Sequence, residues 1–259
     1  MRDRDEAAQH ARFLLDLRDD PAAAEARYPG AGFGFGADFD RLFLCEYVAG
    51  NEYDVDAIIF DGQLVDAWVT DNGVTDVPCC AEVCAMLPSA LPAERQQQLI
   101  AAAWLACQRV GLQNGVVNVE LKLSPFGPKV LDLNARMGGI YIPEWTREVW
   151  GLELPEQAML IACGIRPAGR ALRVPRTWLA GVHIYPDQPA DLDQPAALVT
   201  RLGDHPLDPY YPEAVANIAF RGSSATAAVA RAEAGLRRVF RDDPERGAVL
   251  ADRLKGLLP

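Results

Sequence analysis

No stretch of this 259-residue chain approaches the roughly 20 consecutive apolar residues that a membrane helix needs. Its first residues, MRDRDEAAQH, are charged, so the apolar run of a secretory leader and the pattern of a transit peptide are missing as well. Positive charge is scarce. Lys and Arg number 25 against 36 Asp and Glu, the formal net charge is −11, and no basic cluster appears. A nucleic-acid surface needs a basic stripe to neutralise phosphates, so that class is excluded. A divalent ion could still present nucleotide phosphates, because it brings its own positive charge. Six Cys, at 45, 79, 80, 84, 107 and 163, include no CxxC pair, and no His lies near the tightest group, Cys79-Cys80-x3-Cys84. They read as small reduced thiols of a cytoplasmic protein rather than zinc ligands or disulfides. No internal repeat is present. The length and the 50% hydrophobic content leave room for one large domain or two modest ones.

Ala8, Ala11, Leu14, Leu15 and Arg18 are spaced for a short helix over 4–18, and the Gly-rich run 28–36 breaks regular structure. Gly32, Gly34 and Ala37 make a G-x-G-x-x-A there, but a strand follows rather than a helix, so it reads as a loop and not a dinucleotide fingerprint. Three β runs come next: RLFLCEYV (41–48), EYDVDAIIF (52–60) and QLVDAWVT (63–70), the last two joined by the hairpin signal Asp61-Gly62. Pro92 opens a helix that runs to Val110 and is capped by Gly111. Strands GVVNVELKL (115–123) and KVLDLNAR (129–136) follow, then helices over 143–163 interrupted at Gly151 and Pro155. A linker over 167–175 leads to a strand in TWLAGVHIY and two terminal helices near 224–240 and 244–257. The class is α+β, with antiparallel hairpins alternating with helices.

The strands at 115–136 carry the chemistry. Alternation puts Val117, Val119, Leu121 and Leu123 on one face and Asn118, Glu120 and Lys122 on the other. On the second strand Leu131 and Leu133 match the apolar face, with Asp132, Asn134 and Arg136 opposite. A five-residue connection, 124–128, would set Glu120 across from Asp132 and Asn118 across from Asn134. Facing carboxylates about 5 Å apart repel one another and, with an amide carbonyl beside them, invite a cation. An all-oxygen set without His or Cys selects Mg²⁺ or Mn²⁺ over zinc. The plainer reading is a solvated polar face balanced by Lys122 and Arg136. Against it stands the adjacent pair Gly138-Gly139, which lets backbone amides approach a ligand.

NVELK (118–122) followed by LDLNARMGG (131–139) resembles the metal-binding core of the ATP-grasp superfamily, and CEYVAGNEYDVDAIIFDGQ (45–63) resembles its nucleotide hinge and following strands. More narrowly, EYVAGNEYDVD, AWVTDNG, GVVNVELKL, NARMGGIY and MLIACGIRPA, in that order, are similar to the ATP-grasp part of the carnosine synthase family of carboxylate–amine ligases. The resemblance covers roughly residues 10–170. It implies an ATP-grasp-like antiparallel sheet with helices, present in part: 1–90 the remainder of the nucleotide lobe with its hinge, 91–170 the metal and substrate lobe, and 171–259 an accessory α/β region. It also implies ATP and Mg²⁺ (or Mn²⁺) as cofactors, with Glu120, Asp132 and Asn134 as metal ligands. Arg136 then stabilises the transferring phosphoryl group, Glu46 and Val48 form the adenine hinge, and Glu52 is the acid on the ribose. The family motif usually has Glu where this chain has Asp132. Gly138 and Gly139 are candidates to cradle an oxyanion or a substrate carboxylate.

The activity implied is amide formation through an acyl phosphate, with ADP released and amino acids as the carboxylate and amine partners. Family members also carry a first lobe with two nucleotide-contacting lysines and a flexible Gly-rich loop, which this sequence does not match. The chain is therefore expected to be a truncated or split ligase, with a partner subunit or self-association covering the face where that lobe docks, or else a non-catalytic ATP/Mg-binding subunit. His10 and His205 read as surface residues and His183 as a satisfied core histidine. Trp145 and Trp150 read as packing, and Glu82 as a loop residue for which the resemblance suggests amine recognition.

Overall fold

Asp61 and Gly62 both take positive φ (48° and 66°), which closes the tight turn between β1 (Glu52–Phe60) and β2 (Gln63–Gly73). The computed structural model describes residues 46–75, 81–172, 174–186, 188–202 and 214–259, with Arg4, Asp5, Ala8 and Arg12, which are helical. The rest of the expected 4–18 helix, the Gly-rich run 28–36, Cys45, Cys79, Cys80, His10 and His205 lie outside the described residues.

Beyond β2 come β3 (Cys84–Leu87), α1 (Ala93–Arg109), β4 (Gly115–Ser124) and β5 (Gly127–Asn134). Helices α2 (Ile142–Trp150) and α3 (Leu154–Ala162) follow, then β6 (Trp178–Ile184), β7 (Ala197–Arg201), β8 (Ala216–Gly222), α4 (Ala225–Val239) and α5 (Pro244–Lys255). The strands form one sheet in the order β5-β4-β1-β2-β3-β6-β8-β7, every pair antiparallel. No described helix is long and apolar enough to cross a membrane.

Gly111 (φ +78°) ends α1 and Gly151 (φ +66°) ends α2, as their left-handed backbone allows. Ser224 and Asp243 cap α4 and α5 by accepting from Ala227 N and Arg246 N. The expected strand at 41–48 is not found where the structure describes it: Glu46–Ala49 is unpaired. Both edges of β1 itself are taken, by β4 and β2.

Period-2 alternation divides the sheet into two unlike faces. One is apolar apart from the buried Asp71. Val55, Val69, Val117, Val119 and Leu121 meet Leu99, Ala103 and Cys107 of α1, while Met86, Val182, Ile218 and Phe220 meet Leu236, Phe240 and Leu250 around α4 and α5. The other face is apolar only where α2 and α3 cover it, with Ile58, Trp68, Leu87 and Leu179 around Trp145. Gly181 permits that closeness, since a Cβ there would lie 2.6 Å from Ile218 O and 2.9 Å from the Trp145 ring. Away from these two helices the same face carries polar residues, most of them buried.

A candidate metal and substrate face

Glu120 lies directly across from Asp132, and Asn118 from Asn134. The register is the expected one, but it arises differently. The turn is only Pro125-Phe126, with Ser124 opposite Gly127, and pairing counted from it alone would put Glu120 opposite Leu131. A one-residue bulge between Glu120 and Leu121 shifts the ladder and brings Asp132 into place. Leu131 is the extra residue and is exposed instead of packing with Leu133.

Asn134 Nδ2 donates to Glu120 Oε1 at 3.1 Å, leaving its amide carbonyl to serve the same space. Asp132 is exposed, and its Oδ1 accepts from Leu133 N at 2.8 Å. Burial first, and the charge of Asp132 second, raise the carboxyl of Glu120 above its ordinary range, with Asn134 and Arg136 opposing. An oxygen-only donor set of two mutually repelling carboxylates and an amide suits a hard divalent cation. Among the described residues no three His, Cys, Asp or Glu side chains converge on a common point, so any such ion would need oxygens from a ligand as well.

Strand β1 extends the acid field. Asp54 is directly opposite Glu120, Asp56 opposite Asn118, and Glu52 opposite Lys122. Lys122 is buried beside Glu52, Nζ to Oε2 3.6 Å, with Thr75 Oγ1 at 3.4 Å. Asp56 Oδ1 accepts from Gly138 N at 3.2 Å and Asn118 Nδ2 at 3.4 Å. Further along, Asn72 Nδ2 donates to Glu82 Oε1 at 2.8 Å, and Tyr141 OH donates to Asn72 Oδ1 at 3.3 Å. His183 faces this group with Nε2 3.9 Å from Glu82 Oε2. It is buried, but neither ring nitrogen has a hydrogen-bond partner, so the satisfied core histidine expected from the sequence is not what the fold holds.

No family model matches the chain. It is 49% identical over 175 residues to carnosine synthase 1 of Gallus gallus, covering 68% of this chain and 18% of that protein. Against carnosine synthase 1 of Homo sapiens the identity is 42% over 159 residues, or 61% and 19% of the two chains. The chain spans about a fifth of the length of the curated relatives it matches. Its fold is shared with the L-amino acid ligase from Bacillus licheniformis (TM-score 0.58, 16% identity, 69% of this chain and 48% of that one). It is shared also with phosphoribosylglycinamide synthetase from Anaerococcus prevotii (TM-score 0.60, 12% identity, 75% and 53%). Over two thirds of its length this chain is similar to a part of carnosine synthase 1, and its fold is the ATP-grasp fold.

On this ATP-grasp chain the other expected site residues fall at the rim of the polar face. Glu46 is exposed, 3.5 Å from Lys129 Nζ, and Val48 is half-buried just before β1. The Tyr47 ring between them lies 5.6 Å from Lys122 Nζ. Arg136 is exposed with Nη1 donating to Met137 O, and it acts electrostatically on both Asp56 and Glu120. The amide of Gly138 is engaged by Asp56, and a Cβ there would sit 2.7 Å from that carboxylate. Gly139 is open, with nothing nearer than Arg136 Nη1 at 3.8 Å from a Cβ. Ile140 beside it has φ +57°, a costly conformation for a β-branched residue and a mark of a shaped loop.

Sequence reasoning overlooked Asp54, Asp56, Asn72 and Tyr141. The period-2 spacing of Glu52, Asp54 and Asp56 was the available signal; nothing local linked Asn72 or Tyr141 to them.

The buried acids make stability depend on pH in an unusual direction. Burial pushes Asp56 and Asp71 up to about 7 and Glu82 up to about 8. Each folded-state value exceeds the unfolded one, so the folded chain binds more protons, and stability rises as pH falls from about 8 toward 4. Glu82, partly open to solvent, contributes less. His183, held down to about 4 by burial, opposes them only below its unfolded value of about 6.5. The ligand-free chain is expected to melt roughly 5 °C or more higher at pH 6 than at pH 8.5. A melting temperature that is flat or falling over that interval in a thermal scan would contradict the burial of these carboxylates.

Proposed function

We propose that this chain carries the metal and substrate face of an ATP-dependent carboxylate–amine ligase that joins amino acids. A substrate carboxylate attacks the γ-phosphoryl group to give an acyl phosphate and ADP, and an amine then displaces phosphate to form the amide. The reading is carried by one observation: Glu120 directly opposed to Asp132 with Asn134 bonded to Glu120, on the polar face of an ATP-grasp sheet. Similarity to carnosine synthase 1 and the fold shared with an L-amino acid ligase support it.

In this reading Glu120, Asp132 and Asn134 hold Mg²⁺ or Mn²⁺, which supplies charge neutralisation for the phosphates. Arg136 stands over the same space to stabilise the transferring phosphoryl oxygens, with Gly139 open beside it and Gly138 fixing the loop through Asp56. Glu46 and Val48 form the adenine hinge, and Glu52, steadied by Lys122, is the ribose acid. The lobes meet near residues 90 and 170. The setting is cytoplasmic, and a partner subunit or a second copy of the chain packs against the face where the first lobe of the family docks.

The test is Mg²⁺-dependent ADP release by the full chain, alone and with a candidate partner. Stimulation by a pair of amino acids, with amide product, is expected. Nucleotide binding without turnover under every combination would leave the chain a non-catalytic ATP/Mg-binding subunit.

A further inference from the structure

Asp56 is fully buried on β1, where the polar face of the sheet meets the packing around α2. Asn118 on β4 and Trp68 on β2 are its neighbours across the strands. It belongs neither to the metal set nor to the adenine hinge, yet the loop that carries Arg136 is fastened to it. Its Oδ1 accepts from Gly138 N at 3.2 Å, a bond across 82 residues of sequence, and from Asn118 Nδ2 at 3.4 Å. The approach leaves no room for a side chain on the loop, since a Cβ at Gly138 would meet Asp56 Oδ1 at 2.7 Å and Ile142 Cγ2 at 2.8 Å.

The Arg136 guanidinium hydrogen-bonds its own loop. Nη1 donates to Met137 O at 3.0 Å and lies 3.8 Å from where a Gly139 Cβ would be, so both contacts are with residues flanking Gly138. The far half of the loop has its own fastenings: Ile142 N donates to Gly139 O at 3.0 Å, and Tyr141 OH donates to Asn72 Oδ1 at 3.3 Å. Asp56 is the corresponding hold on the near half. Only one of its oxygens is used. Oδ2 is buried without a partner, so what the loop takes from Asp56 is an acceptor oxygen in a fixed place.

We propose that Asp56 is a positioning residue: by accepting from the Gly138 amide it fixes the Arg136–Gly139 loop, and through that loop it sets the Arg136 guanidinium beside Glu120, Asp132 and Asn134. An exposed arginine is placed only as well as the backbone beneath it, and an error of about 1 Å at a reacting group can cost about a hundredfold in rate. The inference rests on the ligase reading and deepens it, adding a buried acid that touches neither nucleotide nor substrate.

Substitutions in the full chain separate placement from charge. Asp56→Ala removes the acceptor and should lower kcat for Mg²⁺-dependent ADP release about 30-fold or more, with KM for ATP within about threefold, because the arginine acts on the phosphoryl group in transfer. Asp56→Asn keeps an acceptor oxygen and should stay within about fivefold of the parent. Asp56→Glu keeps the charge but lengthens the arm by one methylene, and should fall with the Ala variant. In an Arg136→Ala background, Asp56→Ala should cost less than about threefold, since one arginine cannot be lost twice. Additive losses, an unchanged kcat in folded Asp56→Ala, or an Asn variant as poor as the Ala variant would overturn the proposal. If Asp56→Ala fails to fold, the Asn and Glu variants decide. Hydrogen exchange of the Gly138 amide needs no turnover: it should speed up about tenfold or more in Asp56→Ala and stay near the parent rate in Asp56→Asn. Equal exchange in parent and Asp56→Ala overturns the tether and leaves the ligase reading standing. An Asp56-dependent amide in a chain that never releases ADP does the reverse.

Discussion

Glu120→Gln is expected to slow Mg²⁺-dependent ADP release about 10³-fold, or roughly 4 kcal/mol of barrier. The amide keeps the size of the side chain and its contact with Asn134 but removes the charge opposite Asp132, and phosphoryl transfer depends on positioning and charge neutralisation more than on bond-making by the protein. Asn134→Ala should act through the same centre, because it deletes both the carbonyl and the donor that orients Glu120. The two losses are then expected to be non-additive, with the double variant little worse than the worse single one. Stability should move the other way. Burial and Asp132 already disfavour the ionised form of Glu120, so neutralising it should leave the melting temperature unchanged or raised. A variant that loses activity and stability together would make Glu120 a structural residue, and one that keeps full activity would remove it from the metal site.

How far the sequence could be read depended on whether the deciding interaction was local. The β1–β2 hairpin was legible because alternation and Asp61-Gly62 lie within a few residues of one another. The register of Glu120 on Asp132 was anticipated through an incorrect loop, since a shorter turn and a bulge offset one another by one residue. Strand β3 escaped notice: four residues, CAML, buried on both faces, show no alternation to read. With β3 missed, nothing indicated that β6, β8 and β7 continue the same sheet or that His183 faces Glu82. Asp54 and Asp56 stood in plain view, but their isolation follows from β1 lying between β4 and β2, a pairing that links residues more than 60 positions apart.

Arg170→Ala should destabilise the fold by about 3–5 kcal/mol, lowering the melting temperature by roughly 10 °C. The segment expected to be a plain linker is tied to β2 at this point. Arg170 Nε and Nη2 donate to the two carboxylate oxygens of Asp66 at 3.0 and 2.8 Å, its backbone N donates at 2.7 Å, and Nη2 also reaches Ala67 O at 2.8 Å. The guanidinium stacks between Trp68 at 5.4 Å and Trp150 at 4.7 Å. Gly169, with φ +70°, lets the backbone come that close; a Cβ there would lie 2.9 Å from Asp66 Cβ. Burial alone would raise the carboxyl of Asp66, but the hydrogen bonds and charge of Arg170 outweigh it and hold it below the ordinary range. Its contribution is therefore fully present above about pH 4 and lost as pH falls further, opposite in sign to that of Asp56 and Asp71. Removing Arg170 strands a buried carboxylate and should convert Asp66 into one more acid that favours low pH. The parent is expected to lose stability steeply below pH 4, whereas Arg170→Ala should be most deficient at neutral pH and approach the parent in acid. Arg170→Lys should recover little, because an ammonium cannot bridge both oxygens and stack between two indoles at once. Equal melting temperatures for parent and Arg170→Ala at pH 7 would refute the anchoring role, and full recovery by Lys would reduce it to a point charge.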